Sequence, residues 1–463
     1  MKKNDVEKIA RVVIEIEESE SETRFPFRFR KRLLELIKNK GNYLGGLFLV
    51  SSSFIGNVLN FFYNAFLGRI LTFEHFALIG LIGGLNSFAS IIFGAYTNAS
   101  NYKSAFLIGK YGDGAGFSFW KYSRRLGIII AAVFTLIWFI FTPFLTQFFD
   151  AETPWLIILF GLVLLVGLAK GADRGLISAR LNFWGLAILN LFDPLIRLSA
   201  TFLLVFLGLK FWTFSAIPIA ALGIFIIGWI LVTYKKNDKD FVGQEKEINR
   251  FPFKFYGVSV LNGISSTAFL SFDILLANHY LGSLEAGKYA LFSLVGKMIY
   301  FLGGLTTPFI IPLLSRLEGA RKSSRKTMIY IMGATTLLAL IGFLSFGVFG
   351  FYTVPLLYGK KAIVITPYLI GFSFGMMCYT ISKVLVNYYL VKKVYAFTFA
   401  TSLLVVLQFI LIFFNHANSA SIASVMSIVW TLHLGLSLSF HIYADKIRNL
   451  ENYILVFFKL RKI

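Results

Sequence analysis

A chain of 463 residues that is 57% hydrophobic and 17% aromatic, with a mean hydropathy of +0.72, cannot hide its apolar surface in a water-soluble core. It would expose patches far beyond the roughly 300–600 Å² of an ordinary soluble monomer, and its 15% of charged residues falls well short of the roughly 25% of globular proteins. The net charge of +22 would suggest nucleic acid in a soluble protein; here the basic residues form short clusters between apolar runs, which excludes that reading in favour of anionic membrane lipids.

Residues 1–42 form a charged tail, broken by Arg24-Phe-Pro-Phe-Arg28 and without a cleavable signal-peptide pattern. A helix needs about 20 mostly apolar residues to cross a bilayer. Apolar runs of that kind predict spans near 43–66, 75–98, 126–148, 154–170, 184–208 and 212–234. A polar loop at 235–254 follows, then spans near 255–280, 286–314, 328–351, 364–390, 395–415 and 418–442. The expected architecture is an all-α polytopic membrane protein, with an N lobe at 43–234 and a C lobe at 255–442. The tail at 443–463 alternates basic residues with Tyr453, Leu455, Phe457 and Phe458, and reads as an amphipathic helix on the inner interface.

Lys and Arg fall on alternate loops, which sets orientation. One side takes Lys103, Lys110, Lys121, Arg124 and Arg125, then Lys170, Arg174 and Arg180, the central loop, Arg316 to Lys326, Lys392 and Lys393. The other takes Arg69, Lys210, Lys288, Lys360 and Lys361. The positive side is expected to be cytoplasmic, with both termini there, in the cytoplasmic membrane. The outer loops are too short to hold a catalytic domain. An internal echo supports two equally oriented halves: Asn64-Ala-Phe-Leu-Gly68 and Asn278-His-Tyr-Leu-Gly282 end the first and seventh spans, ahead of Phe76-Ala-Leu-Ile-Gly-Leu-Ile82 and Tyr289-Ala-Leu-Phe-Ser-Leu-Val295. Parallel repeats of this kind are a transporter architecture; a duplicated channel or scaffold is the alternative.

Ionisable residues within spans are costly and face a cavity or a partner. Asp193 and Arg197 stand four apart, on one helical face, beside Pro194; they form either a self-neutralising pair or a substrate contact. Asp273 and Lys297 lie in the middle of the seventh and eighth spans, either as an ion pair between neighbouring helices or as separate cavity groups. Arg69 and Lys383 either snorkel to the head groups or hold an anionic ligand. Asn57, Asn60 and Asn64 recur at helical spacing, as a polar stripe facing a cavity or as interhelical hydrogen bonds. Gly80, Gly83, Gly84, Gly303 and Gly304 read as close-packing or bending points. Asp113, between Gly112 and Gly114, reads as a turn. His75, His279, His416, His433 and His441 are scattered towards span ends without metal spacing, and there is no Walker-type phosphate loop. The single cysteine, Cys378, excludes an internal disulfide. No cofactor or catalytic residue is expected.

Three segments carry a family resemblance: Phe66 to Gly80, Asp273 to Ala290, and Arg174-Gly-Leu-Ile-Ser-Ala-Arg-Leu-Asn-Phe183 followed by Asp193-Pro-Leu-Ile-Arg197. Together they resemble Wzx-type oligosaccharide flippases of the multidrug/oligosaccharidyl-lipid/polysaccharide exporter superfamily, over about Tyr43 to Tyr443. The resemblance implies two six-helix lobes forming a V around a central cavity. It also implies flipping of a polyprenyl-diphosphate-linked oligosaccharide across a bacterial cytoplasmic membrane, driven by the membrane potential or by a proton or sodium gradient, with glycan-assembly proteins as partners. By position and charge, Arg69, Arg197, Lys297 and Lys383 are then candidate substrate contacts, with Asn57, Asn60 and Asn64 beside them; Asp193 and Asp273 are candidate coupling or ion-pair groups. The alternatives are a cation-coupled multidrug exporter of the same superfamily, a membrane glycan polymerase or ligase (for which the outer loops are short), and a scaffold for glycan machinery.

Overall fold

A computed structural model describes residues 40–70, 73–148, 153–234, 245–281, 283–358 and 360–443, and every regular element among them is helical. The first half contains α1 (Lys40–Ile70), α2 (Phe73–Tyr111), α3 (Asp113–Ile140), α4 (Trp155–Ala179), α5 (Phe183–Phe206) and α6 (Ala216–Thr233). The second contains α7 (Phe253–Tyr280), α8 (Ser283–Gly303), α9 (Thr307–Gly319), α10 (Arg325–Phe343), α11 (Leu369–Val391), α12 (Tyr395–Phe414) and α13 (Ser419–Ile442). Helices α8 and α9 are one span, broken by a 3₁₀ turn at Gly304–Thr306. From Asp113 onward, ten segments among the described residues are long and apolar enough to cross a membrane; α1 and α2 precede them. The chain is a multi-pass membrane protein of two six-span lobes. The N-terminal tail, the start of the central loop and the C-terminal amphipathic helix expected from the sequence lie outside the described residues.

Packing reproduces the same plan in each half. In the N lobe α4 is the hub, packed against α2, α3 and α6, while α1 pairs with α5 and α5 with α6. In the C lobe α11 takes that place against α8, α10 and α13, while α7 pairs with α12 and α12 with α13. These hubs are the two most buried spans. Small residues let the helices approach, as in membranes generally. Gly167, Gly171 and Gly175, one turn apart on α4, face Phe93, Thr97 and Ser100 of α2, where an added Cβ would come within 2.3, 3.1 and 2.7 Å. On α11, a Cβ at Gly375 would lie 2.8 Å from the Ser427 backbone of α13.

The lobes meet at the end that carries the basic clusters. A Cβ at Gly109 of α2 would stand 2.1 Å from the Arg316 carbonyl oxygen, and one at Gly319 of α9 would stand 1.9 Å from the Phe106 carbonyl oxygen. This reciprocal contact exists because the break at Gly304–Thr306 and the internal Pro312 let α9 lean onto α2. Aromatic stacking continues the seam, with Tyr102 on Phe255 at 4.4 Å and Tyr96 on Phe251 at 4.8 Å. Towards the other end the lobes part: Gly83 and Gly84 have open space where a Cβ would stand, and Ile264 of α7 is exposed. The result is a V closed at its basic end.

Within the C lobe, Asp273 and Lys297 form the ion pair between neighbouring helices, at 3.1 and 3.2 Å. Tyr289 and Ser293 also donate to the Asp273 carboxylate, at 3.0 and 2.8 Å. Both charged groups are buried, so the cluster staples α7 to α8 rather than lining a cavity.

Several expectations need correction. Helix α4 continues nine residues beyond the predicted end of its span, to Ala179, and α3 begins at Asp113 rather than near residue 126. Lys121, Arg124, Arg125, Lys170 and Arg174 are therefore helical, not loop, residues; charges that hydropathy counts as loop are satisfied by partners or by a cavity. Asp113 does not merely turn the chain, since Gly112 with φ of 94° makes the turn; Asp113 accepts from Arg180 at 3.0 Å. Gly83 and Gly84 pack against nothing, because they lie where the lobes diverge, while Gly303 does pack, with Thr380 2.4 Å from its would-be Cβ. His433 is buried in mid-helix, bonded through Nδ1 to Ser382 Oγ at 2.7 Å.

Two outcomes test these contacts. Gly109→Val and Gly319→Val should each push α2 and α9 apart by about 1.5 Å or more, the shortfall from ordinary contact, as read by spin-label distances across the seam. Asp273→Asn, which leaves Lys297 buried without its counter-charge, should destabilise the C lobe by about 3–5 kcal/mol; the double variant Asp273→Asn/Lys297→Met should recover most of that loss in thermal unfolding.

Candidate functional site

A cavity of about 650 Å³ opens inside the N lobe. Helix α4 contributes Gly167, Lys170, Gly171 and Arg174 to its wall, at the spacing of one helical face. The glycines of that face bring α2 close, and its two cations project past them. Helix α5 supplies Asn190, Asp193 and Arg197; α1 supplies Ser53, Gly56 and Asn60; and α2 supplies Asn86, Ser90, Thr97 and Asn98. Ile217, Ala221 and Ile224 of α6 complete the lining.

Hydrogen bonds tie the polar wall together. Arg174 Nη2 donates to Asn190 Oδ1 at 2.7 Å, and Asn190 Nδ2 donates to Ser53 Oγ at 3.1 Å. Arg197 donates through Nη2 to Asp193 Oδ2 at 2.7 Å and through Nη1 to Asn60 Oδ1 at 3.3 Å. Its Nε is buried without a hydrogen-bond partner among the described residues, and its guanidinium lies 5.6 Å from the Tyr63 ring centroid. None of the hydrogen bonds and ion pairs among the described residues takes the Lys170 ammonium. Three cations thus face one carboxylate. A guanidinium and an ammonium presented this way can hold a phosphate oxyanion, the first as a fork and the second as a point charge.

The charge of α4 is divided by face. Asp173, next to Arg174 but about 100° around the helix, is turned away from the cavity. It accepts from Trp120 Nε1 at 2.7 Å and from Arg124 Nε at 3.1 Å, and Arg124 in turn lies 4.8 Å from the Phe225 ring centroid. This ion pair binds α3 to α4 and leaves Lys170 and Arg174 uncancelled by their own helix.

Of the residues singled out in the sequence, the structure brings Asp193, Arg197 and Asn60 together in this cavity. Asp193 and Arg197 are both an intrahelical pair and part of the wall. The side chains of Asn57, Asn64 and Arg69 lie outside the described ones. Asp273 and Lys297 are elsewhere, in the C-lobe staple. Lys383 does not reach for the head groups: its Nζ is held at 2.7 Å by Asn262 Oδ1 and at 2.6 Å by Ser266 Oγ, both of α7. Lys170, Arg174 and Asn190 escaped the sequence reading, although Gly167, Lys170, Gly171 and Arg174 recur at positions i, i+3, i+4 and i+7, and that spacing marked the face.

The hubs also explain why the two lobes differ here. Each ends two residues before a left-handed residue, Leu181 after α4 and Lys393 after α11. Aligning these ends sets Tyr379 where α4 has Gly167, and Lys383 where it has Gly171. At these two positions the C-lobe hub carries long side chains where the N-lobe hub carries glycine. No group of three His, Cys, Asp or Glu side chains among the described residues is placed to hold a metal ion.

No curated protein sequence matches the chain. Solved structures share its fold. A mutant of a Vibrio cholerae MATE transporter is 14% identical with a TM-score of 0.67, covering 88% of this chain and 98% of that one. A MOP-superfamily transporter from Pyrococcus furiosus is 15% identical with a TM-score of 0.65, covering 88% and 96%. An outward-facing multidrug-resistance MATE transporter of the same superfamily is 16% identical with a TM-score of 0.61, again covering 88% and 96%. The family described as "Polysaccharide biosynthesis protein" matches residues 125–367, which bears out the resemblance drawn from the sequence. That match spans just over half of the chain, from the cations of α3 to the start of the tenth span, and the protein belongs to this polysaccharide biosynthesis family.

Proposed function

We propose that the protein flips a polyprenyl-diphosphate-linked oligosaccharide across the cytoplasmic membrane by alternating access. The observation that carries this reading is the N-lobe cavity, where Lys170, Arg174 and Arg197 face Asp193 alone. A diphosphate is an anion that needs Arg or Lys once it leaves water, and a sugar head group cannot cross hydrocarbon unaided. The amides and hydroxyls of Asn60, Asn86, Ser90, Asn98 and Asn190 beside the cations offer donors and acceptors to sugar hydroxyls. The family match supports the glycan side of the reading.

The basic end of the V is taken as cytoplasmic, by the preference of Lys and Arg for that side. The closed seam then faces the cytoplasm and the lobes part towards the outside, the arrangement of a carrier ready to release its cargo outward. The rival reading, a cation-coupled multidrug exporter, draws on the MATE structures that share the fold. A cavity for cationic drugs calls for acidic groups, however, and this one has the opposite balance. The Pyrococcus furiosus transporter is described as having a binding pocket of reversed polarity that suggests a different function.

Purified protein in liposomes should move a fluorescent lipid-linked oligosaccharide between leaflets, and no movement, with or without an ion gradient, would sink the proposal. Lys170→Gln and Arg174→Gln should each weaken binding of that substrate roughly 10- to 100-fold, the worth of one hydrogen bond to a charged group. A diphosphate-free analogue should be bound equally by wild type and variants. Raised drug resistance on expression, with no glycan defect on deletion, would favour the exporter instead.

A further inference from the structure

The geometry points to Lys383 as a proton-binding site of the C lobe, held in this state as a neutral amine whose protonation parts α7 from α11. Its surroundings suit an amine and not an ammonium. A neutral amine has two N–H groups and one lone pair, and Nζ has two acceptors, Asn262 Oδ1 and Ser266 Oγ, at 2.7 and 2.6 Å. An ammonium would bring a third N–H and a full charge, and among the described residues no carboxylate pairs with it. The Tyr379 ring is centred 6.0 Å away, the outer limit of a useful cation–π contact. Tyr379 Oη is itself buried without a hydrogen-bond partner among the described residues, one turn from Lys383 on the same helix.

Three other span cations have the counter-charge that Lys383 lacks. Lys297 has the Asp273 carboxylate at 3.1 Å, Arg124 has Asp173 at 3.1 Å and Arg197 has Asp193 at 2.7 Å. Lys383 has two neutral oxygens. The titratable groups around it offer no counter-charge. On α13, His433 is buried and engaged by Ser382. On α8, Tyr300 stacks on Tyr379 at 5.7 Å, and Lys297 is committed to Asp273 of α7. On α9, Glu318 pairs with Lys392 at the basic end; the charges of α10, Arg325 and Lys326, stand at that end too, and α12 carries none beyond Tyr395. Lys383 keeps some accessible surface, so a proton can reach it from water. Taking one up converts R–NH₂ to R–NH₃⁺. The new charge requires more water or further acceptors than the two neutral oxygens supply, and movement of the Asn262 and Ser266 side of α7 off α11 widens the access that Lys383 already has. Asn262 also donates to Asn387 Oδ1 at 3.3 Å, so the same step loosens a second bond between these helices.

The test reads this movement without any substrate. In a Cys378→Ala background, spin labels at Ile264→Cys of α7 and Ile370→Cys of α11, both exposed positions, report the distance between the helices in proteoliposomes. The wild-type distance should lengthen by about 3 Å, the width of a water molecule, as pH falls. Lys383→Met, permanently neutral, should stay at the short distance at every pH, and Lys383→Arg, permanently charged, at the long one. A wild-type distance that does not change with pH, or variants that titrate as the wild type does, would overturn the proposal. That this proton drives transport rests on the flippase reading, and a second measurement addresses it: in both variants a pH gradient should no longer accelerate flipping of the lipid-linked oligosaccharide. If no such lipid is flipped by any form, the flippase reading fails while the distance titration still decides the proton site.

Discussion

A charge placed among membrane-spanning helices has to be answered by another charge, by hydrogen bonds or by water, and on α4 this constraint is met differently on different faces. Asp173 is answered inside the protein, by Trp120 and Arg124 of α3. Lys170 and Arg174 are not answered by any carboxylate of their own helix, and their face is the wall of the cavity. Had the carboxylate stood at position 171 instead, on the face shared by Lys170 and Arg174, it would have turned towards these cations and reduced the field that the cavity presents. The α3–α4 ion pair is thus structural in its contacts and electrostatic in its consequence. Because α4 is also the hub of the N lobe, its orientation about its own axis is fixed by α2, α3 and α6 together, and the direction in which the two cations point is fixed with it.

The glycines of α4 make this arrangement possible. Gly167, Gly171 and Gly175 let α2 approach closely enough that a methyl group at the first or third would collide with Phe93 or Ser100. Close approach of two backbones leaves little room for long side chains along the contact line, so Lys170 and Arg174, one step beside that line, extend into the space between α2 and α5. In the C lobe the hub follows the same path with a different fill. Tyr379 and Lys383 stand where Gly167 and Gly171 do, and the space is taken up by an aromatic ring and an amine tied to α7. A duplicated fold has thereby given its two hubs different faces, by exchange of side chains at matched positions on a common backbone plan.

Much of this was legible in the sequence. The spans follow from apolar runs of sufficient length, and the division into six and six from the echo of Asn64 to Ile82 in Asn278 to Val295. The Asp193–Arg197 pair follows from spacing alone, and the Asp273–Lys297 pair was one of two readings left open. What misled was the treatment of charge as loop. Lys170 and Arg174 count against a span in any hydropathy average, yet a helix that lines a polar cavity carries such residues at no cost to its length. Their helical register with Gly167 and Gly171 was visible; the cavity that gave it meaning was not, because it depends on α1, α2 and α5, which lie far from α4 in the chain or on its other side. Lys383 shows the same limit. Nothing near it in sequence announces Asn262 and Ser266, more than a hundred residues away, and these alone decide that the side chain stays inside.

The two lobes also differ in how they are held. The Asp273–Lys297 cluster, with Tyr289 and Ser293 saturating the carboxylate, binds α7 to α8 by interactions that are buried and mutually satisfied. On its other side α7 meets α11 through neutral hydrogen bonds at Lys383 and Asn262 and through the Phe269–Tyr379 ring contact at 5.3 Å, and it meets α2 of the opposite lobe through Tyr102–Phe255, with Phe251 just before it stacked on Tyr96. Helix α7 is therefore fixed to α8 and more lightly held by α11, while one end of it forms the seam between the lobes. The same α2 that carries this seam forms a wall of the N-lobe cavity through Asn86, Ser90 and Asn98. An influence of the C lobe on a ligand bound beside Lys170 and Arg174 has two routes: across α2, through α7 or the Gly109–Gly319 contact with α9, and directly from α9, where Phe309 packs on Phe183 of α5 at 4.9 Å. The rigid staple on one flank and the neutral contact on the other make α7 the element best placed to carry it.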